Sequence, residues 1–261
     1  MNSPVRFSGD SYLSPGVTAP AMPSLSFYFK LLGIVCDEGI KASKGNYSGE
    51  DWSNASLRVF DCLESVGGSF QINGMHHIDS VDSPVVFVGN HMSTLETFIL
   101  PCLIQPRREV TFVVKKSLVT YPFFKHVLIS RDPVLVSRQN PREDLQAVLN
   151  GGLERLQAGR SIIIFPQSTR SGTIDPAFFN SIGVKLAKKA QVPIVPVALK
   201  TDAWGPGPVV KDIGPIRPAM PIHFQFGAPV TVEGNGKEAH GQVLEFLTSR
   251  LASWQGESRL E

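Results

Sequence analysis

The sequence predicts an α/β protein whose mixed, mainly parallel sheet is covered by helices on both faces, with further helices at the N-terminus. From about residue 69 onward, short runs rich in Val and Ile alternate with longer amphipathic segments, a pattern typical of parallel sheets with crossover helices. The chain has 261 residues, 42% of them hydrophobic. This length and composition suit one large domain with a complete buried core.

The alternating part of the chain supplies most of the predicted elements. Strands are predicted near 69–73, 84–89, 109–114, 133–137, 161–165 and 194–200. Helices are predicted near 94–103, 117–128, 141–157 and 178–190. A later strand at 223–226 and a C-terminal helix near 237–254 complete the domain. Between residues 200 and 223, the Gly- and Pro-rich run Trp204–Pro208 marks a long loop that we expect to border a ligand crevice.

The residues before this alternating part divide into two regions. Residues 1–23 are rich in Pro, Ser and Gly, and we expect a flexible segment there. Residues 24–66 are expected to form an N-terminal helical region, with helices over 24–41 and 53–66. Residues 67–261 then form the main domain.

The predicted helix over 24–41 has apolar residues at helical spacing, including Phe27, Leu31 and Ile34. Its apolar stretch contains Lys30 and is shorter than the ~20 residues that a transmembrane helix requires. We therefore expect an interfacial helix that attaches the protein peripherally, or monotopically, to the cytoplasmic side of a membrane. The alternative is a helix that packs on the domain.

Charge and cysteine content narrow the classes of function. Residues 105–142 contain eight Lys and Arg against two acidic residues, a local charge of +6 in a chain of net charge +2. Such a region suits a phosphorylated substrate or anionic headgroups, although an ordinary solvated face has the same composition. The three scattered cysteines have no C-x-x-C pair, so we expect reduced core residues and no metal site. No nucleic-acid partner is expected, and the sequence leaves the oligomeric state open.

His91 and Glu96, separated by four residues, are the strongest candidates for catalysis. The apolar run Val85–Val88 has the character of a buried strand, and helical spacing of apolar residues begins at Leu95, so His91 falls in a strand-to-helix turn. A carboxylate that accepts the imidazole N–H fixes the tautomer and leaves the other nitrogen as a general base. The alternative is structural: Ser93 and Glu96 also match a capping box.

Three further segments follow His91 and Glu96 in the chain. They are the basic, aromatic stretch from Lys115 to Phe124 that leads to Pro133–Arg138, the run Phe165-Pro-Gln-Ser-Thr-Arg170, and the Pro-containing strand Val192–Val197.

In this order, the four segments resemble the glycerophospholipid acyltransferase family, typified by 1-acylglycerol-3-phosphate and lysophospholipid acyltransferases. The resemblance spans about 110 residues and implies a glycerol-3-phosphate acyltransferase-like fold for residues 67–261. Three departures from the family pattern stand out. Glu96 replaces the usual aspartate, and Gln167 and Ser168 replace a glutamate and a glycine. Phe179-Asn-Ser-Ile-Gly183 stands where many members have Phe-Lys-x-Gly. The first preserves the charge; the others put the identity of the acceptor in doubt.

The resemblance implies an O-acyltransferase of phospholipid biosynthesis that uses no metal or organic cofactor. His91 would deprotonate the hydroxyl of a lysophospholipid, most simply 1-acylglycerol-3-phosphate, as that hydroxyl attacks the thioester of acyl-CoA or of an acyl-carrier protein. Glu96 would hold His91 in the correct tautomer. The residues expected to bind substrate and its phosphate are Lys115, Lys116, Arg138, Gln167, Ser168, Thr169 and Arg170.

Other interpretations remain open at this stage. Each of the basic residues could be a surface cation, and the chain could be a lipid-binding protein of the same fold with little turnover, or an acyltransferase with a different hydroxyl or amine acceptor. Ser168 is not expected to be a nucleophile, because its surroundings lack the G-x-S-x-G pattern of α/β-hydrolases.

Overall fold

The computed structural model describes residue 7 and residues 9–122, 124–167 and 169–257. Eight strands lie within these residues: β1 (Tyr12–Leu13), β2 (Phe70–Asn73), β3 (Val86–Gly89), β4 (Val110–Lys115), β5 (Val134–Val136), β6 (Ser161–Ile164), β7 (Ile194–Lys200) and β8 (Ile222–Phe226). The α-helices are α1 (Pro23–Ser43), α2 (Gly49–Glu64), α3 (Leu95–Ile104), α4 (Phe124–Ser130), α5 (Pro141–Gln157), α6 (Ile182–Ala190) and α7 (Lys237–Glu257).

The strands form one sheet in the order β1-β2-β8-β7-β3-β6-β4-β5. Pairing is parallel throughout the run β7-β3-β6-β4-β5 and between β2 and β8, whereas β1 pairs with β2, and β8 with β7, in antiparallel fashion. The predicted mixed, mainly parallel sheet is therefore confirmed. Its central strand β3 is buried at every position, as expected for a strand covered on both faces.

Alternation along the strands divides the core into two layers. Phe87 of β3 and Ile163 of β6 face the layer that contains α1, α2 and α3, whereas Val88 and Ile164 face the layer that contains α5, α6 and α7. Successive side chains of a strand point to opposite faces, so one short apolar run contributes to both layers. We refer to these layers as the α1–α3 face and the α5–α7 face.

Two of the predicted helices differ markedly from the observed ones. The helix expected over 117–128 is divided into a 3₁₀ turn at Lys116–Thr120 and α4, because Pro122 restricts the preceding Tyr121, which is extended. The helix expected from residue 178 begins at Ile182, whose N–H is accepted by the Asn180 side chain.

Part of the N-terminal segment expected to be flexible is attached to the sheet. Tyr12 and Leu13 pair with β2 as strand β1, and the side-chain hydroxyls of Tyr12 and Ser14 donate to the buried carboxylate of Glu64. The Pro, Ser and Gly content of residues 1–23 gives no indication of this short strand. The expectation is therefore corrected for residues 12–14; residues 1–6 and Ser8 lie outside the described residues.

Helix α1 packs on the domain through one face. Phe27, Leu31 and Ile34 are buried in the core of the α1–α3 face, and the Phe27 ring lies edge-on to Trp204 at 4.9 Å. The opposite face of α1 leaves Leu25, Phe29 and Leu32 exposed. Among the described residues, no helix has the length and apolar character to cross a bilayer.

A hydroxyl group joins α2 to α3 and so fixes the helix that contains Glu96. The N–H of Cys102 donates to Ser56 Oγ at 2.9 Å, and Ser56 Oγ in turn donates to the carbonyl of Phe98. These two α3 groups would bond to each other in a regular helix. Pro101 already removes the neighbouring donor, so the Ser56 hydroxyl completes a weakened turn.

We predict that Ser56→Ala lowers the free energy of unfolding by about 1–3 kcal/mol, because the Cys102 N–H and the Phe98 carbonyl lose their shared buried partner. Urea denaturation followed by circular dichroism measures this change. Ser53→Ala, at another buried serine of α2, is the matched control. An equal loss in both variants would contradict a specific role for the bridge.

Candidate functional site

The candidate site lies where the carboxyl ends of β3, β6 and β7 meet in the centre of the sheet, the edge at which open α/β sheets bind ligands. The turn after β3 is fixed to β7 by Asn90. The Asn90 amide donates to the Leu199 carbonyl and accepts from the Leu199 N–H, both at 2.8 Å. This pair of bonds replaces sheet pairing where β3 ends and directs the next residue, His91, towards the end of β6.

Glu96 is the centre of a hydrogen-bond network. Its carboxylate is fully buried and accepts from His91 Nδ1 at 2.8 Å and from the hydroxyl of Thr201 at 2.6 Å. It also accepts the backbone N–H groups of Met92 at 2.7 Å and Ser93 at 3.0 Å, and the Ser93 hydroxyl at 3.1 Å. Five donors therefore satisfy the two oxygens of one carboxylate.

These contacts keep Glu96 ionised. Burial by itself raises the pKa of Glu96, but the hydrogen bonds from His91 and Thr201, together with the charge that His91 carries when it is protonated, outweigh it, so the pKa lies below its ordinary value. A carboxylate can only accept hydrogen bonds, so the imidazole proton belongs on Nδ1. The lone pair of His91 Nε2 is then available to accept a proton.

The segment after β6 holds His91 from three sides. The side-chain oxygen of Gln167 accepts the His91 N–H at 2.7 Å, and the N–H of Ser171 donates to the His91 carbonyl at 2.9 Å. The Phe165 ring stacks on the imidazole with ring centroids 4.7 Å apart and an interplanar angle of 9°. The ring plane and the backbone of His91 are thus both set by this one segment.

The dyad and the capping box are one structure. Glu96 accepts from the Ser93 N–H, as a capping box requires, and the Ser93 hydroxyl accepts the N–H of Leu95 at the start of α3. His91 Nδ1 binds Oε1 of the same carboxylate, the oxygen that also accepts the Ser93 N–H. The two interpretations of this segment are therefore compatible, and the cap orients the carboxylate towards the imidazole.

The remaining residues of the Phe165–Arg170 run occupy different environments. The Gln167 side-chain NH₂ also donates to the Thr173 carbonyl at 3.3 Å. Gln167 therefore contacts the His91 backbone through its oxygen and the Thr173 backbone through its nitrogen. Thr169 is exposed. Ser168 lies outside the described residues. Arg170 forms an ion pair with Asp212 of the 205–214 loop, Nη2 to Oδ1 at 2.6 Å.

The other expected phosphate ligands have different surroundings from those of Arg170. Arg138 follows β5 with a left-handed backbone (φ 59°), and its N–H donates to Asp144 at 2.7 Å. Its exposed side chain lines a groove on the α5–α7 face, as Gln167 does. Lys115 and Lys116, at the end of β4 and the start of the following turn, are exposed.

Several residues of the site have no signal in the local sequence pattern. Thr201 and Asp212 approach Glu96 and Arg170 from more than 40 residues away in the chain, and a threonine at the end of a strand is common. The sequence feature that points to Thr201 is its position directly after β7, the strand that pairs with β3. Among the described residues, no group of three His, Cys, Asp or Glu side chains is arranged to hold a metal ion.

Comparisons with known proteins match this chain to one family. The Acyltransferase family model matches residues 69–200, which include His91, Glu96, Gln167 and Arg170. The chain is 28% identical over 195 residues to the 1-acyl-sn-glycerol-3-phosphate acyltransferase of Pseudomonas aeruginosa, covering 75% of this chain and 70% of the relative. It is 27% identical to the enzyme of the same name from Saccharomyces cerevisiae, covering 72% of this chain and 60% of that one. It is also 27% identical to the enzyme of that name from Cocos nucifera, covering 62% of this chain and 51% of that one.

A solved structure shows the same fold. The 1-acyl-sn-glycerophosphate acyltransferase of Thermotoga maritima superposes with a TM-score of 0.67 at 19% identity, covering 89% of this chain and 95% of that one. Because the family model spans half of the 261 residues, the chain belongs to the Acyltransferase family.

Proposed function

We propose that the protein transfers a fatty acyl group from a thioester donor, acyl-CoA or acyl-carrier protein, to the hydroxyl of a lysophospholipid, with 1-acylglycerol-3-phosphate as the acceptor, in phospholipid biosynthesis. The observation that carries this proposal is the bond from His91 Nδ1 to the buried, ionised Glu96. The names of the relatives from Pseudomonas, yeast and coconut support the acceptor.

In the proposed reaction, His91 Nε2 removes the proton of the acceptor hydroxyl as the oxygen attacks the thioester carbonyl. The imidazolium that forms is stabilised by Glu96, which changes neither protonation state nor position. When the tetrahedral intermediate collapses, the C–S bond breaks and the imidazolium returns the proton to the departing thiolate. The acceptor hydroxyl thus takes the place that serine has in a Ser-His-Asp triad.

We predict that His91→Ala lowers the rate of acyl transfer by ~10²–10⁴-fold, the usual effect of removing a general base. Glu96→Gln should be intermediate, because an amide oxygen still accepts from Nδ1 but supplies no charge to the imidazolium. A radiolabelled transfer assay with 1-acylglycerol-3-phosphate measures both rates. His77→Ala, which changes a histidine beyond β2, is the control and should retain activity.

The same assay decides between the proposal and its alternatives. Near-normal turnover in His91→Ala would contradict the dyad. A wild-type protein that binds lysolipids without transfer would be a lipid-binding member of the fold, and transfer only to other hydroxyls or amines would reassign the acceptor.

We propose that Arg170 binds the phosphate of the acceptor, with Lys115, Lys116, Arg138 and Thr169 as further candidates. Arg170 keeps a counter-charge although Gln167 replaces the family's glutamate, because Asp212 pairs with Arg170 at 2.6 Å. Asp212 also accepts from the Thr94 hydroxyl at 2.9 Å. An incoming phosphate therefore competes with the Asp212 carboxylate for the guanidinium.

We predict that Asp212→Asn lowers KM for 1-acylglycerol-3-phosphate by about two- to fivefold, since a partly exposed ion pair contributes up to ~1 kcal/mol and no longer competes with the phosphate. Arg170→Ala should raise the same KM by about tenfold or more. In an Arg170→Ala background, Asp212→Asn should have no further effect. A raised KM in Asp212→Asn alone would mean that Asp212 positions Arg170 instead of competing with the acceptor.

We propose that α1 attaches the protein peripherally to the cytoplasmic face of a membrane. The support is the exposed row Leu25, Phe29 and Leu32, whose side chains are 62%, 81% and 64% exposed and which recur at the i, i+4, i+7 spacing of one helix face. One face of α1 packs on the domain, and the opposite face is the one proposed to contact the membrane.

We predict that the triple variant Leu25→Ser, Phe29→Ser, Leu32→Ser loses most of its binding to phosphatidylglycerol vesicles, because each apolar side chain contributes ~1.5–3 kcal/mol when it leaves water. Vesicle flotation measures the bound fraction. Phe178→Ser removes an exposed aromatic ring (76% exposed) outside α1 and should bind like the wild type. Equal binding by the triple variant would contradict the role of α1.

A further inference from the structure

The 205–214 loop, which contains Asp212, exposes apolar side chains at its tip. Val209, Val210 and Ile213 are 91%, 48% and 57% exposed. They lie within five consecutive residues, together with the exposed Lys211. Apolar side chains grouped on a surface and flanked by polar ones mark a contact with a partner or a membrane. The tip therefore has the composition of a contact surface.

The loop is a compact structure, so this exposure does not come from a slack chain. Its ends are joined where Trp204 forms an antiparallel bridge with Ile216. Further along, the two sides of the loop approach so closely that a Cβ on Gly207 would lie 2.1 Å from the carbonyl oxygen of Ile213. The Trp204 Nε1–H also donates to the Asp212 carbonyl at 3.1 Å. The tip is thus presented on a fixed base.

That base is bonded to α1, the helix proposed to contact the membrane. The Tyr28 hydroxyl donates to the Gly214 carbonyl at 2.6 Å, and the N–H of Ile216 donates to Ser24 Oγ at 2.9 Å. Each of these two α1 residues is next in sequence to a member of the exposed apolar row of α1. A protein that lies on a bilayer through α1 therefore brings the loop close to the same bilayer.

The loop also holds the proposed phosphate ligand. Asp212 pairs with the Arg170 guanidinium at 2.6 Å. Three residues of chain span at most about 11 Å, so Val209, the farthest of the three apolar residues in sequence, lies within that reach of Asp212. Apolar side chains of interfacial segments enter a bilayer by ~5–10 Å, to the boundary between headgroups and acyl chains. A tip anchored in this way places Arg170 at the level of the headgroups.

We infer that the side chains at the tip of the 205–214 loop enter the interface of a lipid bilayer and hold Arg170 at the level from which the acceptor's phosphate enters the site. This inference rests on the proposed transfer to a lysophospholipid, a substrate that resides in a bilayer. The attachment of the loop to α1 favours a bilayer over a protein partner, and Lys211 suits anionic headgroups. Helix α1 then attaches the protein, and the loop aligns its acceptor site with the lipid surface.

Flotation with phosphatidylglycerol vesicles tests the lipid contact without requiring turnover. The variant is the triple change Val209→Ser, Val210→Ser, Ile213→Ser. The control triple Leu13→Ser, Val17→Ser, Phe178→Ser removes as many exposed apolar side chains (67%, 46% and 76% exposed) outside the loop and α1.

We expect the loop triple to lower the vesicle partition coefficient about tenfold or more, because burial of apolar surface drives insertion. The control triple should change the partition coefficient less than twofold. Val209→Ser alone, at the most exposed position, should weaken binding in the same direction, and it tests the inference if the triple variant does not fold.

Steady-state kinetics with two forms of the acceptor then test the alignment of Arg170. For 1-acylglycerol-3-phosphate embedded in vesicles, the loop triple should raise the apparent KM about tenfold. For a short-chain acceptor, 1-hexanoylglycerol-3-phosphate dissolved as monomers, KM and kcat should stay within twofold, because this acceptor reaches Arg170 from water.

Several results would overturn the inference. One is unchanged vesicle binding in the loop variants, and another is an equal loss in the control triple. An equal rise of KM for the dissolved acceptor would mean that the loop acts on Arg170 through the protein alone. A wild-type dimer that the loop triple converts to monomers in sedimentation, with vesicle binding unchanged, would assign the tip to a second copy of the chain. Loop-dependent vesicle binding without any acyl transfer would uphold the lipid contact and refute the proposed function.

Discussion

The buried carboxylate of Glu96 is the constraint on which the rest of the site depends. An ionised carboxylate that is removed from water costs several kcal/mol unless its oxygens are satisfied. Here, the Glu96 oxygens accept hydrogen bonds from donors in the turn after β3 and from the Thr201 hydroxyl after β7. A charge placed in this way is fixed in position and needs no rearrangement when an imidazolium forms beside it.

The sheet topology explains why these donors are available. Strand β3 lies between β7 and β6, so the turn that contains His91 meets Thr201 on one side and the Phe165–Ser171 segment on the other. Parallel strands end at the same edge, and three separate segments of the chain therefore converge there. The burial of Glu96, the stacking of His91 on Phe165 and the tether from Asn90 to Leu199 all follow from this arrangement.

The sheet also separates the surroundings of the site into two. Exposed apolar residues of α1 lie on one face, and a groove lined by several basic residues lies on the other. Arg138 and Arg170, which belong to successive segments of the family's sequence pattern, have different neighbours: Arg170 pairs with Asp212, and Arg138 lines the groove.

The sequence predicted the features that depend on local pattern. Helix α5 matches its predicted range, 141–157, because Asn140 caps it and Pro141 occupies its first turn. The pairing of His91 with Glu96 was predictable because one turn brings them together. Pro122 was visible in the sequence, yet the basic and apolar pattern around it suggested a continuous helix. The contacts of Thr201, Asp212 and Glu64 were beyond prediction, since each joins segments whose proximity is set by the folded sheet.

The protonation of the His91 ring tests the central claim most directly, because the first proposed step requires the proton on Nδ1 and a lone pair on Nε2. Nitrogen-15 NMR of the labelled protein at alkaline pH, with the His91 signals identified by their loss in His91→Ala, reports the state of each ring nitrogen. The account predicts a protonated Nδ1 and an unprotonated Nε2 in the wild type, and a mixture of tautomers in Glu96→Gln. A proton on Nε2 in the wild-type protein would contradict it.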